Sequence, residues 1–227
     1  MADDVRPPIP MSCAHRPTVG GLVAPFVNMR LADGGVDFRS PHNTVYERCW
    51  RERLCQTCGH RLPRTSVIFG GPNQLRKRHF DEPPLCAPCA VYASSACPMV
   101  AGRQERYASH PRISEGKRGE KCSRPGCECG GVIPSDPEAA RQGGDPAHPW
   151  YACYLRTGAW QLTGRNVACN CGERSCREKR LLLNGAQLLA MPLKVVLASA
   201  PGEGRTWRAL AAAEVAELMP EPVGGAS

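Results

Sequence analysis

The sequence predicts a small, loop-rich α+β protein: a treble-clef-like zinc module followed by a second cysteine-bearing α+β module. Three observations point there. Cys55-Gln-Thr-Cys58 and Cys86-Ala-Pro-Cys89 are two C-x2-C units with 27 residues between them, the spacing of a tetrahedral structural metal site. The 227 residues include 22 Pro and 23 Gly, and only 6% are aromatic. One large apolar core is therefore not expected, and metal ligation replaces part of the missing burial. Short apolar runs of strand character are interleaved with two helical stretches.

The elements follow in chain order. Residues 1–41 read as an N-terminal arm and a hairpin. The arm, to about residue 20, reads as disordered, and Cys13 within it as a spare thiol. Val27, Met29 and Leu31 alternate on one strand of the hairpin, Val36 and Phe38 on the other, with Asp33-Gly34-Gly35 as the turn. Residues 42–103 form the zinc module. Gly59 follows the first Cys pair and permits a tight knuckle. Ser66-Val67-Ile68-Phe69 is a strand and Gly70-Gly71-Pro72-Asn73 a turn, which places Arg76-Lys77-Arg78-His79 on a hairpin. Residues 88–97 form a helix with Pro88 in its first turn and Pro98 as its stop. Knuckle, hairpin, then a helix opening on the second ligand pair is a treble-clef-like order. Cys97 is about two turns from Cys89, too far for the same ion, and reads as a buried thiol.

Residues 104–121 read as a polar, basic linker, and 122–227 as the C-terminal module. There Trp150-Tyr151-Ala152-Cys153-Tyr154-Leu155 and Trp160-Gln161-Leu162-Thr163 read as two strands of a hairpin turning at Thr157-Gly158. Residues 193–197 give another strand. Residues 207–219 give an amphipathic helix, with Leu210, Val215 and Leu218 facing a sheet.

Fourteen cysteines make the compartment informative. The first residues carry acid and no Lys or Arg, and no apolar run approaches the length of a membrane span. The expectation is a cytoplasmic protein with no membrane association, where clustered cysteines are metal ligands rather than disulfides. Cys55, Cys58, Cys86 and Cys89 form the first site. Cys122, Cys127 and Cys129 (C-x4-C-x-C) and Cys169, Cys171 and Cys176 (C-x-C-x4-C) form a second candidate site, its triplets brought together by the 150–163 hairpin. The expected cofactor is zinc, one or two ions. An iron–sulfur cluster is the weaker alternative, because the ferredoxin spacings are absent.

The formal net charge is +8, which suits an acidic partner such as DNA or RNA. Arg61, Arg64, Arg76, Lys77, Arg78, Arg177, Lys179 and Arg180 are the candidate phosphate contacts. Arg outnumbers Lys in a chain rich in Ala, Gly and Pro, so part of this charge reflects base composition. A protein–protein adaptor with structural zinc is the alternative function, and a thiol redox enzyme a third, since Cys86-Ala-Pro-Cys89 has the form of a redox pair. No catalytic residue is assigned. His42, His60, His79, His110 and His148 are scattered, Asp37, Glu47 and Asp81 are near the first module only, and no nucleophile–base pair is visible.

The stretch Pro83-Pro84-Leu85-Cys86-Ala87-Pro88-Cys89-Ala90-Val91-Tyr92-Ala93, with Cys97-Pro98-Met99, resembles a recurrent segment of uncharacterised cysteine-rich zinc-finger-like proteins of actinobacteria and their phages. The Cys55/Cys58 knuckle and Gly143-Gly144-Asp145-Pro146 to Pro149-Trp150-Tyr151 are similar to the same group. The resemblance covers most of residues 20–155 and implies a cellular setting and metal ligands. The 169–176 triplet lies outside it.

Overall fold

The computed structural model describes residues 7–109, 123–125, 143–168 and 179–220. Within them the chain is α+β. A four-stranded antiparallel sheet runs in the order β11-β10-β7-β5, built from β5 (Thr65–Gly70), β7 (Trp150–Arg156), β10 (Lys194–Ala200) and β11 (Gly204–Ala209). Its edge strand β5 comes from before residue 104 and the other three from after residue 149.

Strand periodicity sorts the sheet's side chains into two cores. Ile68, Cys153, Leu155 and Val195 face one side, against Trp50, Leu75, Phe80 and Trp160. Val67, Phe69, Ala152, Val196 and Ala198 face the other, against Cys55, Cys58, Cys89 and Tyr92. A one-residue slip in β5 would exchange the two sets. The sheet is thus the wall on which the cysteine cluster is packed.

On the first face lie helix α1 (Asn43–Arg51), helix α2 (Pro72–Lys77) and a three-stranded sheet in the order β6-β9-β8, from β6 (His79–Phe80), β9 (Lys179–Leu188) and β8 (Trp160–Ala168). α1 was not anticipated, although Val45, Tyr46, Cys49 and Trp50 are buried at i, i+1, i+4 and i+5. On the second face lies helix α3 (Ala87–Ala96), within one residue of its expected span.

Several expectations are corrected. The 150–163 segment is not a hairpin: β7 pairs with β5 and β10, and β8 with β9. The turn at 157–158 is held outward instead. Thr157 donates its N–H to Arg64 O (2.9 Å) and its hydroxyl to Pro63 O (2.6 Å), which sends β8 to the other sheet. The hairpin therefore does not supply the convergence expected of the two C-terminal triplets. Residues 70–73 are not a turn between strands. Gly71 precedes a helix with Pro72 in its first turn, so Arg76 and Lys77 sit on α2, not on a hairpin. The described part of the arm is ordered: a 3-10 turn over Met11–Cys13 is followed by β1 (Thr18–Val19) paired with β2 (Leu22–Val23). The C-terminal helix, α4 (Ala212–Leu218), is shorter than 207–219, because Trp207 belongs to β11, which pairs with β10. The 27–38 hairpin forms as β3 (Asn28–Arg30) and β4 (Val36–Pro41). Among the described residues no helix is long and apolar enough to cross a membrane.

Candidate metal centre

The first Cys pair sits on a closed loop. Leu54 donates its N–H to Cys49 O at 2.9 Å, Cys55 to His60 O at 2.8 Å, and Gly59 to Cys55 O at 2.8 Å. Gly59 has φ +82°, and a Cβ there would lie 2.9 Å from two atoms of the Phe26 ring. Both facts require glycine. The loop is pinned from outside by Phe26 N–H to Thr57 O and Val27 N–H to Gln56 O, each 2.9 Å.

The second pair sits where a strand becomes a helix. Leu85 and Val67 exchange backbone hydrogen bonds of 2.7 and 2.8 Å, which hold the chain against β5 just before Cys86. Cys86 is the N-cap of α3, and Ala90 N–H closes the first turn onto Cys86 O at 2.9 Å. Gln56 N–H to Pro84 O, 3.1 Å, ties the two loops together.

The four sulfurs consequently lie within 4.8 Å of one another, with Cys58 Sγ 4.0 Å from Cys86 Sγ. A tetrahedral ion with metal–sulfur bonds of about 2.3 Å sets its ligands about 3.8 Å apart, so the donor set fits a single ion. Among the described residues this is the one group of three or more His, Cys, Asp or Glu side chains whose ligand atoms converge. Cys55, Cys58 and Cys89 are buried and Cys86 half-buried. Cys86 N–H points at Cys55 Sγ at 3.4 Å, a donor for developing thiolate charge, and the start of α3 adds its positive end.

Electrostatics within the group favour shared deprotonation. Hydrogen bonds from Cys55, then Cys86 and Cys89, hold the Cys58 thiol well below its ordinary range. Cys86 is drawn down to about 7, first by its hydrogen bond with Cys55. Cys55 is pushed up, first by its hydrogen bond with Cys58, and Cys89 is pushed up, first by its hydrogen bond with Cys55. A dication would replace those shared protons and let all four sulfurs be thiolates.

Of the remaining candidates, Cys122, Cys127, Cys129, Cys169, Cys171, Cys176 and Arg177 lie outside the described residues. So do the side chains of Lys179 and Arg180, whose backbone opens β9. Arg61 and Arg64 are exposed on the chain leading from the knuckle into β5, and Arg76 and Lys77 are exposed at the end of α2. Arg78 differs. It takes the left-handed conformation that ends α2, and its Nη2 donates to Met219 O (3.3 Å) and Pro220 O (2.9 Å). It fastens the C-terminal helix and is not a spare donor.

Two groups escaped the sequence reading. Cys13 is not a spare thiol: it is 1% exposed, and its Sγ lies 3.5 Å from Cys89 Sγ. Nothing in its spacing points to this, because the contact spans 76 residues. The second is a chain across the three-stranded sheet. Asp81 Oδ1 lies 3.2 Å from His79 Nδ1, and His79 Nε2 lies 2.7 Å from Thr163 Oγ1. His79 reaches Thr163 over Gly185, where a Cβ would meet Phe80 O at 2.3 Å. The chain ties β6 to β8 across β9. Compared with protein-family models, with curated proteins and with solved structures, the sequence matches none.

Proposed function

We propose that this is a zinc protein, with Cys55, Cys58, Cys86 and Cys89 holding one structural ion, that acts as a nucleic-acid-associated binding module. The convergence of the four sulfurs is the observation that carries the reading. Four thiolate donors around one ion suit zinc and leave no open position for chemistry, which makes the role structural. A multi-iron cluster needs its thiolates set farther apart than one ion does. The order of knuckle, β5 and a helix bearing the second pair at its start supports a treble-clef-like description.

The nucleic-acid part rests on charge. Arg61 and Arg64 precede β5, and Arg76 and Lys77 follow it. None of the four makes an ion pair among the described residues. Strand β5 and the turn into α2 separate the two basic pairs along the chain. Zinc orders the knuckle that leads to Arg61 and Arg64, helix α2 presents Arg76 and Lys77, and the guanidinium and ammonium groups contact phosphates without reading bases.

An adaptor role is the second reading. Leu189, Met191 and Leu193 are 64%, 43% and 56% exposed on the turn between β9 and β10, an apolar edge suited to a protein partner. A mobility shift with duplex DNA and with single-stranded RNA, across a salt series, separates the two. Four phosphate contacts give a slope of log K against log salt of about −3.6 on duplex DNA. The double change Arg76→Ala/Lys77→Ala should lower that slope by about 2. Binding that does not depend on salt, or no binding, favours the adaptor.

A further inference from the structure

Ser12, Cys13 and His15 bring the N-terminal turn onto the sulfur cluster. Cys13 Sγ is 3.5 Å and Ser12 Oγ 3.6 Å from Cys89 Sγ. His15 Nε2 is 3.0 Å from Cys58 O, and its ring stacks on His60 at 4.7 Å. Cys13 is thus a fifth sulfur in contact with the site, outside the four that converge. A tetrahedral ion has no use for a fifth thiolate.

Building on the metal reading above, we propose that Cys13 and Cys89 are a redox pair: a peroxide joins them in a disulfide, which takes Cys89 out of the ligand set and releases the metal. The Cys89 thiolate attacks one oxygen of hydrogen peroxide. The O–O bond breaks, hydroxide leaves, and Cys89 becomes a sulfenic acid. The Cys13 sulfur then attacks the Cys89 sulfur. The S–S bond forms, the S–O bond breaks, and the Cys13 proton leaves with the departing hydroxide as water. The two sulfurs together give up two electrons, and the peroxide accepts them.

The choice of partners follows from the geometry. In a loaded site the four ligands are each bonded to the ion and stand about 3.8 Å apart. Cys13 is nearer to Cys89 than that, and its sulfur is uncommitted. A disulfide needs about 2.05 Å between sulfurs, so the pair must close by about 1.5 Å. The element that carries Cys13 is three residues long, with Met11 88% exposed at its start, so closing the pair moves one short turn and no strand of the sheet. Ser12, half-buried, is the residue that stands over Cys89 Sγ on this side. Three remaining thiolates do not complete a structural zinc site.

The test uses the full zinc-loaded chain, hydrogen peroxide, and a chromogenic chelator that reports released zinc. Alkylation and peptide mass mapping follow. One zinc per chain should be released, with a peptide pair joined through Cys13 and Cys89, and a dithiol with added zinc should reverse both. Cys13→Ser should load the same zinc and release it about tenfold more slowly. Disulfides that join two of Cys55, Cys58, Cys86 and Cys89 without Cys13, or equal release from Cys13→Ser, overturn the proposal. If Cys13→Ser fails to load zinc, the map of the wild-type chain decides alone. A wild-type chain with no zinc before oxidation refutes the metal reading as well. One that holds zinc but forms no Cys13–Cys89 bond refutes only the redox pair.

Discussion

Replacing Gly59 with alanine should destabilise the knuckle by about 2–5 kcal/mol, in two parts. The backbone part comes from φ +82°, which costs an L-residue about 1–2 kcal/mol. The steric part comes from Phe26, whose Cγ and Cδ2 would each lie 2.9 Å from the new Cβ. The ring has little room to retreat. The Phe26 backbone N–H is bonded to Thr57 O, and the guanidiniums of Arg16 and Arg124 each lie 5.4 Å from the ring centroid. Forcing an extra methyl into such a contact costs about 1–3 kcal/mol. For a chain of this size the sum corresponds to a fall in Tm of roughly 4–20 °C. Thermal melts of the zinc-loaded protein, followed by circular dichroism, measure it. Gly59→Ala made on a Phe26→Ala background separates the parts: the steric share should vanish and the backbone share remain. A Gly59→Ala protein within about 0.5 kcal/mol of wild type would refute the reasoning.

Two further predictions concern the rest of the chain. Burial in the sheet pushes Cys153 up to about 12. A folded-state pKa raised above the unfolded value of about 9 gives stability that is complete below pH 9 and is lost as pH rises toward 12. Unfolding free energies from urea titrations between pH 8 and pH 11 should therefore fall more steeply for wild type than for Cys153→Ala, by up to about 1.4 kcal/mol per pH unit; parallel curves contradict this. Arg78→Ala removes two charge-assisted bonds to Met219 and Pro220, at a cost of about 1–3 kcal/mol. Hydrogen exchange should quicken across α4 and leave α3 unchanged; unchanged exchange in α4 contradicts the fastening role.

What could be read from the sequence was local. The two C-x2-C units announce their own loops, and Pro88 and Pro98 bracket α3 to within a residue. Short apolar runs in 66–69 and 193–197, and aromatic content in 150–155, mark β5, β10 and β7. What could not be read depends on pairing at a distance. Thr157-Gly158 looks like a hairpin turn until Pro63 and Arg64 take its hydrogen bonds. Gly71-Pro72 reads equally as a turn or as a helix start, and Gln74 decides it by accepting from Gly71 N–H at 2.6 Å. Cys13 meets Cys89 only because the second core gathers the arm, α3 and the sheet. The spacing of β9 was legible in principle, but Asn184-Gly185 breaks its apolar run, and the glycine is there to let His79 and Phe80 pass close by.

The most direct measurement is metal content per chain by elemental analysis, with a visible spectrum, on the wild-type protein and on Cys55→Ser/Cys58→Ser. The expected result is one zinc fewer in the variant than in the wild type, and no visible band in either. Equal metal content in the two proteins, or iron with a visible chromophore in the wild type, would contradict a structural zinc site at Cys55, Cys58, Cys86 and Cys89.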